Sequence, residues 1–379
     1  MMNTNKMPAE VFPPGDFIRE ELEERGWTQE DLAEILGRSL RMVNEIIMGK
    51  RGITPDTANA LGAAFGTSPQ LWMNLESTYR LSLVRNRDTN TVERRAQLYS
   101  MGPINEMIKR QWLEPSQNIT VLEERFKEFV CVDNLETAPT FYAHAARKST
   151  PYHTETPAQT AWLFRARQLA GAISASRYSA NQYDALIEDL RELASSPEES
   201  RHVASLLADA GIRLVVIEPL KGSRIDGVCF WPSKEEPVVA ISMRYNRIDY
   251  FWHTLMHELA HVKNQDGLAN MNAAIDVDAG DSTLEKPSHE EEADIIAAEA
   301  LVPRNQLQDF IDRVGPIYSP RAIRGFAATI GVHSGIVVGQ LQHRNEIAYS
   351  QFRQYLVPVR NFVTGAALTD GWGHYTPLN

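Results

Sequence analysis

The stretch DYFWHTLMHELAHVKN, residues 249 to 264, sets His253, His257 and His261 four residues apart, with Glu258 directly behind the second of them. On an α-helix four residues turn through about 400°, so His257 and His261 project from nearly one side, one turn apart. Two imidazoles at that spacing can share one tetrahedral zinc ion. Glu258, offset by about 100°, points beside such an ion rather than at it, where it can hold a water. Zinc lowers the pKa of a water it binds from 15.7 to roughly 7, so the chemistry expected of the pattern is peptide hydrolysis. Glu258 would take the proton of the attacking water and pass it to the leaving amine. A purely structural zinc site has no need of that residue.

Such a pair requires a third protein ligand. An arrangement with glycine at 264 and histidine at 267 is excluded, because Asn264 and Gly267 stand there. A glutamate from a following helix is the alternative, and HEEEADIIAAEALVP offers Glu290, Glu291 and Glu292. Glu290 is favoured because Asp294 lies one turn later on its face, where it could accept a hydrogen bond from a ligating histidine. Glu291 is the second choice, and the plainer reading of all three is a solvated acidic helix start. His253 either lines the cleft or packs between Phe251 and Trp252. Tyr245, His253, His289 and His333 are candidates for stabilising a developing oxyanion. The segment DVDAGDSTLE lacks the glycine and the final acid of a calcium loop and is expected to be a solvated loop.

The chain that must position these groups has 379 residues, more than one ordinary domain requires. A hydrophobic content of 43% with 23% charged residues suits a folded, soluble protein. Cys131 and Cys229 cannot build a disulfide framework, so a reducing cytoplasm is the expected location. The opening MMNTNKMPAEVFPPG has no apolar signal core and no run of about 18 apolar residues follows, so neither secretion nor a membrane span is expected. The net charge of −11 argues against a protein that coats nucleic acid. It leaves room for one small DNA-reading module, because phosphate fields are felt only within about 8–10 Å. Between Arg38 and Arg51, four basic residues (Arg38, Arg41, Lys50, Arg51) face the single acid Glu45.

Residues 15 to 85 read as short helices. Thr28 and Asp31 form a capping box opening TQEDLAEILG, which Gly37 ends, and SLRMVNEIIMG stops at Gly49. TPDTANALGAAFG has Thr54 as its cap and Pro55 at the first helical position. Residues 86 to 200 are also helical in pattern, broken by Pro139, Pro151, Pro157 and Pro197. From residue 211, IRLVVIE, GVCFW and PVVAIS read as strands, followed by a helix from about Ile248 to Lys263 and another from about His289. PVVAIS is a candidate edge against which an extended peptide could lie. The expected fold is α+β and helix-rich, with domains over 1–85 (DNA-binding), 86–200 (helical linker or interaction region) and 201–345 (metal domain with a small sheet). A tail over 346–379 has no periodicity that places it.

The run from Gln29 to Ile46 fits a helix-turn-helix at its demanding positions. Ala33 is small where the helices approach, Gly37 sits where the turn needs a left-handed backbone, and Leu32, Leu36, Val43 and Ile46 are apolar where the helices pack. The second helix would lie in the major groove, with Arg41, Met42 and Asn44 reaching base edges and Gln29, Ser39, Lys50 and Arg51 at phosphates. Leu71, Trp72, Leu75 and Tyr79 are read as core or dimer contact.

These residues carry two resemblances. PPGDFIREELEERGWTQEDLAEILGRS with GKRGITPDTANALGAAFGTSPQLWMNLESTYRL resembles the HigA-type antitoxins of the Xre and lambda-repressor helix-turn-helix family, over roughly residues 10 to 85. That resemblance implies a lambda-repressor-like bundle, a homodimer on a palindromic operator, autoregulation and a cognate toxin. Leu40 and Met42 depart from the usual small polar residues of the recognition helix, so the operator sequence does not transfer. IDGVCFWPSKEEPVVAISMRYNRIDYFWHTLMHELAHV with EEEADIIAAEALVP resembles the ImmA/IrrE zincin-like metallopeptidases, from about residue 205 to 345. It implies zinc held by His257, His261 and Glu290, Glu258 as general base, and a regulatory protein, often a helix-turn-helix repressor, as partner or substrate. A zinc endopeptidase acting on such a protein or on itself is therefore expected. The alternative is an antitoxin whose zinc domain is a non-catalytic sensor or toxin-docking module; a third reading is zinc as a staple only.

Overall fold

A computed structural model describes residues 12–84, 89–136, 139, 141, 156–268, 274–277 and 288–374. Contacts divide the chain into two compact units, residues 1–95 and 96–379. The sequence pattern had suggested divisions at 85, 200 and 345.

The first unit is a helical bundle of α1 (Pro14–Arg25), α2 (Gln29–Leu36), α3 (Leu40–Ile47), α4 (Pro55–Phe65) and α5 (Pro69–Val84). Thr28 caps α2 reciprocally: its Oγ1 accepts from the Asp31 N–H at 3.1 Å, and the Asp31 carboxylate accepts from the Thr28 N–H at 2.8 Å. Gly37 then turns the chain with φ of 59°, which leads into Ser39 as the cap of α3. Leu32, Ala33, Val43, Ile46 and Trp72 are buried in this core, while Leu36 and Leu75 pack at its margin. Gly15 is where α1 meets α3 most closely, since a Cβ there would lie 2.1 Å from the Ile47 carbonyl oxygen.

The second unit begins within α6 (Thr89–Met101) and continues through α7 (Ile104–Lys109), α8 (Ile119–Val130), α9 (Pro157–Gly171), α10 (Tyr183–Leu193) and α11 (Val203–Asp209). Strands β1 (Arg213–Ile217), β2 (Ile225–Phe230) and β3 (Val238–Ile241) follow, then α12 (Ile248–Asn264) and β4 (Ala274–Val277). The remaining elements are α13 (Ser288–Leu301), α14 (Arg304–Val314), α15 (Pro320–Ile330), α16 (Ser334–His343), α17 (Arg360–Thr364) and β5 (Leu368–Asp370). The sheet is mixed, in the order β4-β2-β3-β1-β5, with β1 parallel to β3 and β5, and β2 antiparallel to β3 and β4.

Both faces of the sheet are covered, which is why its strands are continuous apolar runs. Val215, Ile217, Val228, Phe230 and Ala240 face a core built with α8 and α9, so the segment read as a linker shares a core with the sheet. Leu214, Val216, Cys229, Val239 and Ile241 face the opposite way, toward α12. Strand β3 therefore cannot be the peptide-accepting edge that its sequence suggested. It is buried throughout and paired on both sides, and the edges are β4 and β5. The unplaced C-terminal residues supply that second edge. Among the described residues no single helix is long and apolar enough to cross a membrane.

Strand β5 is fastened by a buried ion pair. Arg165 of α9 donates to the Asp370 carboxylate, and both side chains are sequestered from solvent. Trp112 Nε1 adds a hydrogen bond to Asp370 at 2.8 Å. Burial pushes the Asp370 carboxyl up, against the opposing pull of Arg165, so this contact depends on the pair staying whole. Asp370→Ala leaves the guanidinium buried without its counter-charge and should destabilise the second unit by about 3–5 kcal/mol. Urea unfolding followed by tryptophan fluorescence reads this directly, and an unchanged midpoint would contradict it.

Candidate metal centre

Helix α12 is buried along most of its length between β2, α13 and α16, an environment that an amphipathic surface helix would not tolerate. His257, Glu258 and His261 are each at most 1% exposed. The Nε2 atoms of His257 and His261 lie 3.1 Å apart. Glu290, from the first turn of α13, brings Oε2 to 3.1 Å from His257 Nε2 and Oε1 to 3.6 Å from His261 Nε2. Its neighbours Glu291 and Glu292 are exposed.

A carboxylate can only accept a hydrogen bond, so each histidine's Nδ1 carries its proton. His257 Nδ1 donates to Asp294 at 2.9 Å, and His261 Nδ1 donates to Asp266 at 2.7 Å. With Nδ1 protonated, a neutral ring presents its Nε2 lone pair to the space it shares with Glu290, and without an ion Nε2 must itself carry a proton to meet that carboxylate. Three lone-pair donors meeting in a buried space repel unless a positive charge, a proton or a metal ion, sits among them. A tetrahedral ion about 2.0–2.1 Å from each nitrogen sets two such donors about 3.3–3.4 Å apart, close to what is found. The residues therefore fit a divalent metal of the zinc type. His257, His261 and Glu290 form one of the donor groups whose atoms all lie within 4.8 Å of one another.

Glu258 lies on the side of α12 that meets the sheet. A Cβ on Gly227 would fall 2.3 Å from Glu258 Oε1, so this strand passes directly over the carboxylate. The register of β2 against β4 shifts between Ile225 and Gly227, a bulge at the same place. Asp266 and Gly227 were not singled out by the sequence reading. An isolated glycine inside an apolar strand was the available signal for the second. Asp266 follows a left-handed Gln265 just past the end of α12, and nothing in residue spacing aims it at His261.

The other sequence candidates are dispersed. His253 is 41% exposed, with Nε2 3.8 Å from Asp294, so it lines a cavity and is not core. Tyr245 lines the same cavity. His289 Nε2 approaches Glu290 at 3.4 Å. His333 caps α16, its Nδ1 accepting the Gly335 N–H at 3.1 Å, and is thereby engaged elsewhere. Most of DVDAGDSTLE lies outside the described residues. In the first unit, Ser39, Arg41, Asn44, Lys50 and Arg51 are exposed, and Gln29 and Met42 are partly so. Arg41 pairs with Glu45 at 2.9 Å, Arg51 reaches the same carboxylate at 3.5 Å, and Asn44 donates to Gln29 at 3.3 Å.

Two family models match the chain: a helix-turn-helix over residues 18–72 and an IrrE N-terminal-like domain over residues 208–344. Virulence-associated protein I of Dichelobacter nodosus is 41% identical over 80 residues, which is 21% of this chain and 72% of that protein. The chain is a helix-turn-helix protein of the HigA-like family that carries an IrrE N-terminal-like domain. Antitoxin HigA-1 of Vibrio cholerae is 34% identical over 88 residues, 23% of this chain and 80% of its own length. The solved structure of Pseudomonas aeruginosa antitoxin HigA with the higBA promoter is 38% identical, covering 22% of this chain and 92% of that one, with a TM-score of 0.22. Each of these relatives covers less than a quarter of this HigA-like protein.

The electrostatics of the centre in the IrrE-like domain are unusual for its burial. For Glu290 burial acts to raise the carboxyl, but hydrogen bonds from His257 and His261 override it and hold the pKa at about 2. For His261 burial acts downward, and the contacts with Glu290, Glu258 and Asp266 outweigh it, so its pKa rises. With no ion bound, the proton on His261 stabilises the folded centre below the ordinary value of 6.5, and this is lost as pH rises through the raised value. Glu290 contributes above its ordinary 4.5 and loses that contribution as pH falls toward about 2. A divalent ion replaces the missing proton in the alkaline range. Chelation should therefore lower Tm more at about pH 8 than at about pH 6, measured by calorimetry with and without chelator. An equal or reversed difference would count against a cation-binding centre.

Proposed function

We propose that this HigA-like protein is an autoregulatory DNA-binding regulator whose IrrE-like domain is a zinc-dependent endopeptidase acting on a regulatory protein or on the chain itself. The observation that carries the enzymatic part is the meeting of His257, His261 and Glu290 donors with the Glu258 carboxylate beside them. When bound, zinc would supply a Lewis acid for the scissile carbonyl and a more acidic water.

The chain's own groups then divide the work. His257, His261 and Glu290 would hold the ion, and Asp294 and Asp266 would fix the histidine tautomers and ring directions. Glu258 Oε would accept a proton from the attacking water and return it to the leaving amide nitrogen. Gly227 keeps that carboxylate in place by allowing the strand to close over it. Strand β4, at the sheet edge next to β2, is the place for an extended peptide to add by backbone pairing.

The regulatory part rests on the exposed face of α3 and on the likeness to HigA-1. Arg41 is 88% exposed, and its pairing with Glu45 is a surface contact that DNA can displace at little cost. Arg41, Met42 and Asn44 would read base edges, with Gln29, Ser39, Lys50 and Arg51 at phosphates, in a cytoplasmic homodimer on a palindromic operator. A cognate toxin, or a repressor encoded nearby, would be the protein partner.

Two experiments separate these parts. Glu258→Gln should keep its zinc by elemental analysis while cleavage of a co-expressed partner falls by about 10²–10⁴-fold. Undiminished cleavage would end the peptidase reading, and an uncleaved partner with wild-type protein would leave the metal domain as a sensor or toxin-docking module. In fluorescence anisotropy on the chain's own upstream DNA, Arg41→Ala should weaken binding roughly 5- to 150-fold and relax sequence preference. Lys50→Ala should weaken all sequences alike and reduce the salt slope by about one. Wild-type affinity in both variants would remove α3 from the groove.

A further inference from the structure

A cavity of about 430 Å³ opens on the flank of the metal centre, within the size range of ligand sites. Its wall includes His253, one turn before His257, and Asp294, which receives the His257 Nδ1 proton at 2.9 Å. The cavity thus adjoins the centre through Asp294, the residue that holds His257.

The lining says which side chain. Ala298, Leu301 and Ile336 give it an apolar wall, and Leu301 and Ile336 are themselves buried. Tyr245, Tyr250 and Tyr349 add three rings, the first two meeting edge to face with centroids 4.5 Å apart. The Tyr250 hydroxyl is committed to Asp226 at 2.7 Å. Arg247 and Asp249 in the wall are matched to one another. Arg247 donates to both oxygens of Asp249, at 3.1 and 2.6 Å, and Asp294 is held by His257. A small side chain would leave apolar wall and rings without partners. An aromatic ring meets apolar contacts and further rings, where offset and edge-to-face pairs add to area burial.

We propose that this cavity is a substrate subsite that selects an aromatic side chain; it rests on the peptidase reading and specifies what that peptidase would recognise. Tyr349, 63% exposed, and Ala298, one turn beyond Asp294 on α13, both line it.

The test uses full-length, zinc-loaded Glu258→Gln protein and saturation-transfer NMR to N-acetylated amides of tyrosine, phenylalanine, leucine and lysine. The aromatic amides should receive about five-fold more transfer than the leucine and lysine amides. Ala298→Leu, added to the same protein, should remove most of that preference while zinc content is kept. Tyr349→Ala should weaken aromatic binding as well. Equal transfer to lysine or leucine amide, or aromatic binding that ignores both substitutions, overturns the proposal. The two readings fail separately. Persisting cleavage in Glu258→Gln removes the peptidase, whereas loss of the subsite appears only in the NMR experiment.

Discussion

Two imidazole nitrogens 3.1 Å apart, with a glutamate oxygen 3.1 Å from one of them, form a contact that a buried space tolerates only with positive charge at its centre. Much else in the second unit follows from keeping those donors in that relation. Asp294 and Asp266 each hold a ring by its far nitrogen, so neither histidine can turn its lone pair away. Helix α13 delivers both Glu290 and Asp294, one turn apart, and is packed along α12 for that purpose. The burial of α12 lowers the local dielectric, which makes the uncompensated centre costly and the compensated one firm.

The sheet serves the same helix from the other side. Helix α12 rests on the face made by Val216, Cys229, Val239 and Ile241, while α8 and α9 close the opposite face. This arrangement fixes the position of Gly227 over Glu258 and leaves β4 at the edge beyond β2. Strand β5 completes the sheet at the far side, anchored by Arg165, Asp370 and Trp112. The C-terminal residues are thus part of the frame that carries the centre.

The first unit depends on a different constraint, the close approach of short helices. Ala33, Gly15 and the left-handed Gly37 allow it, and the exposed face of α3 is the consequence. Leu40, at 42% exposure, stands on that face as a bulky apolar residue. A helix-turn-helix and an IrrE-like domain share one chain.

Local geometry was legible from residue order. The helical period alone placed His257 and His261 on one face and Glu258 off it, because three residues within five share one rigid element. The capping box at Thr28, the turn at Gly37 and the apolar packing positions around them were readable for the same reason, as each is a contact between near neighbours. The sequence favoured Glu290 over Glu291 and Glu292 through Asp294 one turn later, whereas packing of α13 on α12 is what turns Glu290 inward and leaves the other two exposed. PVVAIS was read as an edge and is a central strand, since an apolar run states that both faces are buried and not who lies beside it. Asp266 behind His261, Gly227 over Glu258 and Asp370 beneath Arg165 join residues whose separations in the chain range from 5 to 205. No periodicity encodes such pairs; they exist only once the two layers have closed on the sheet.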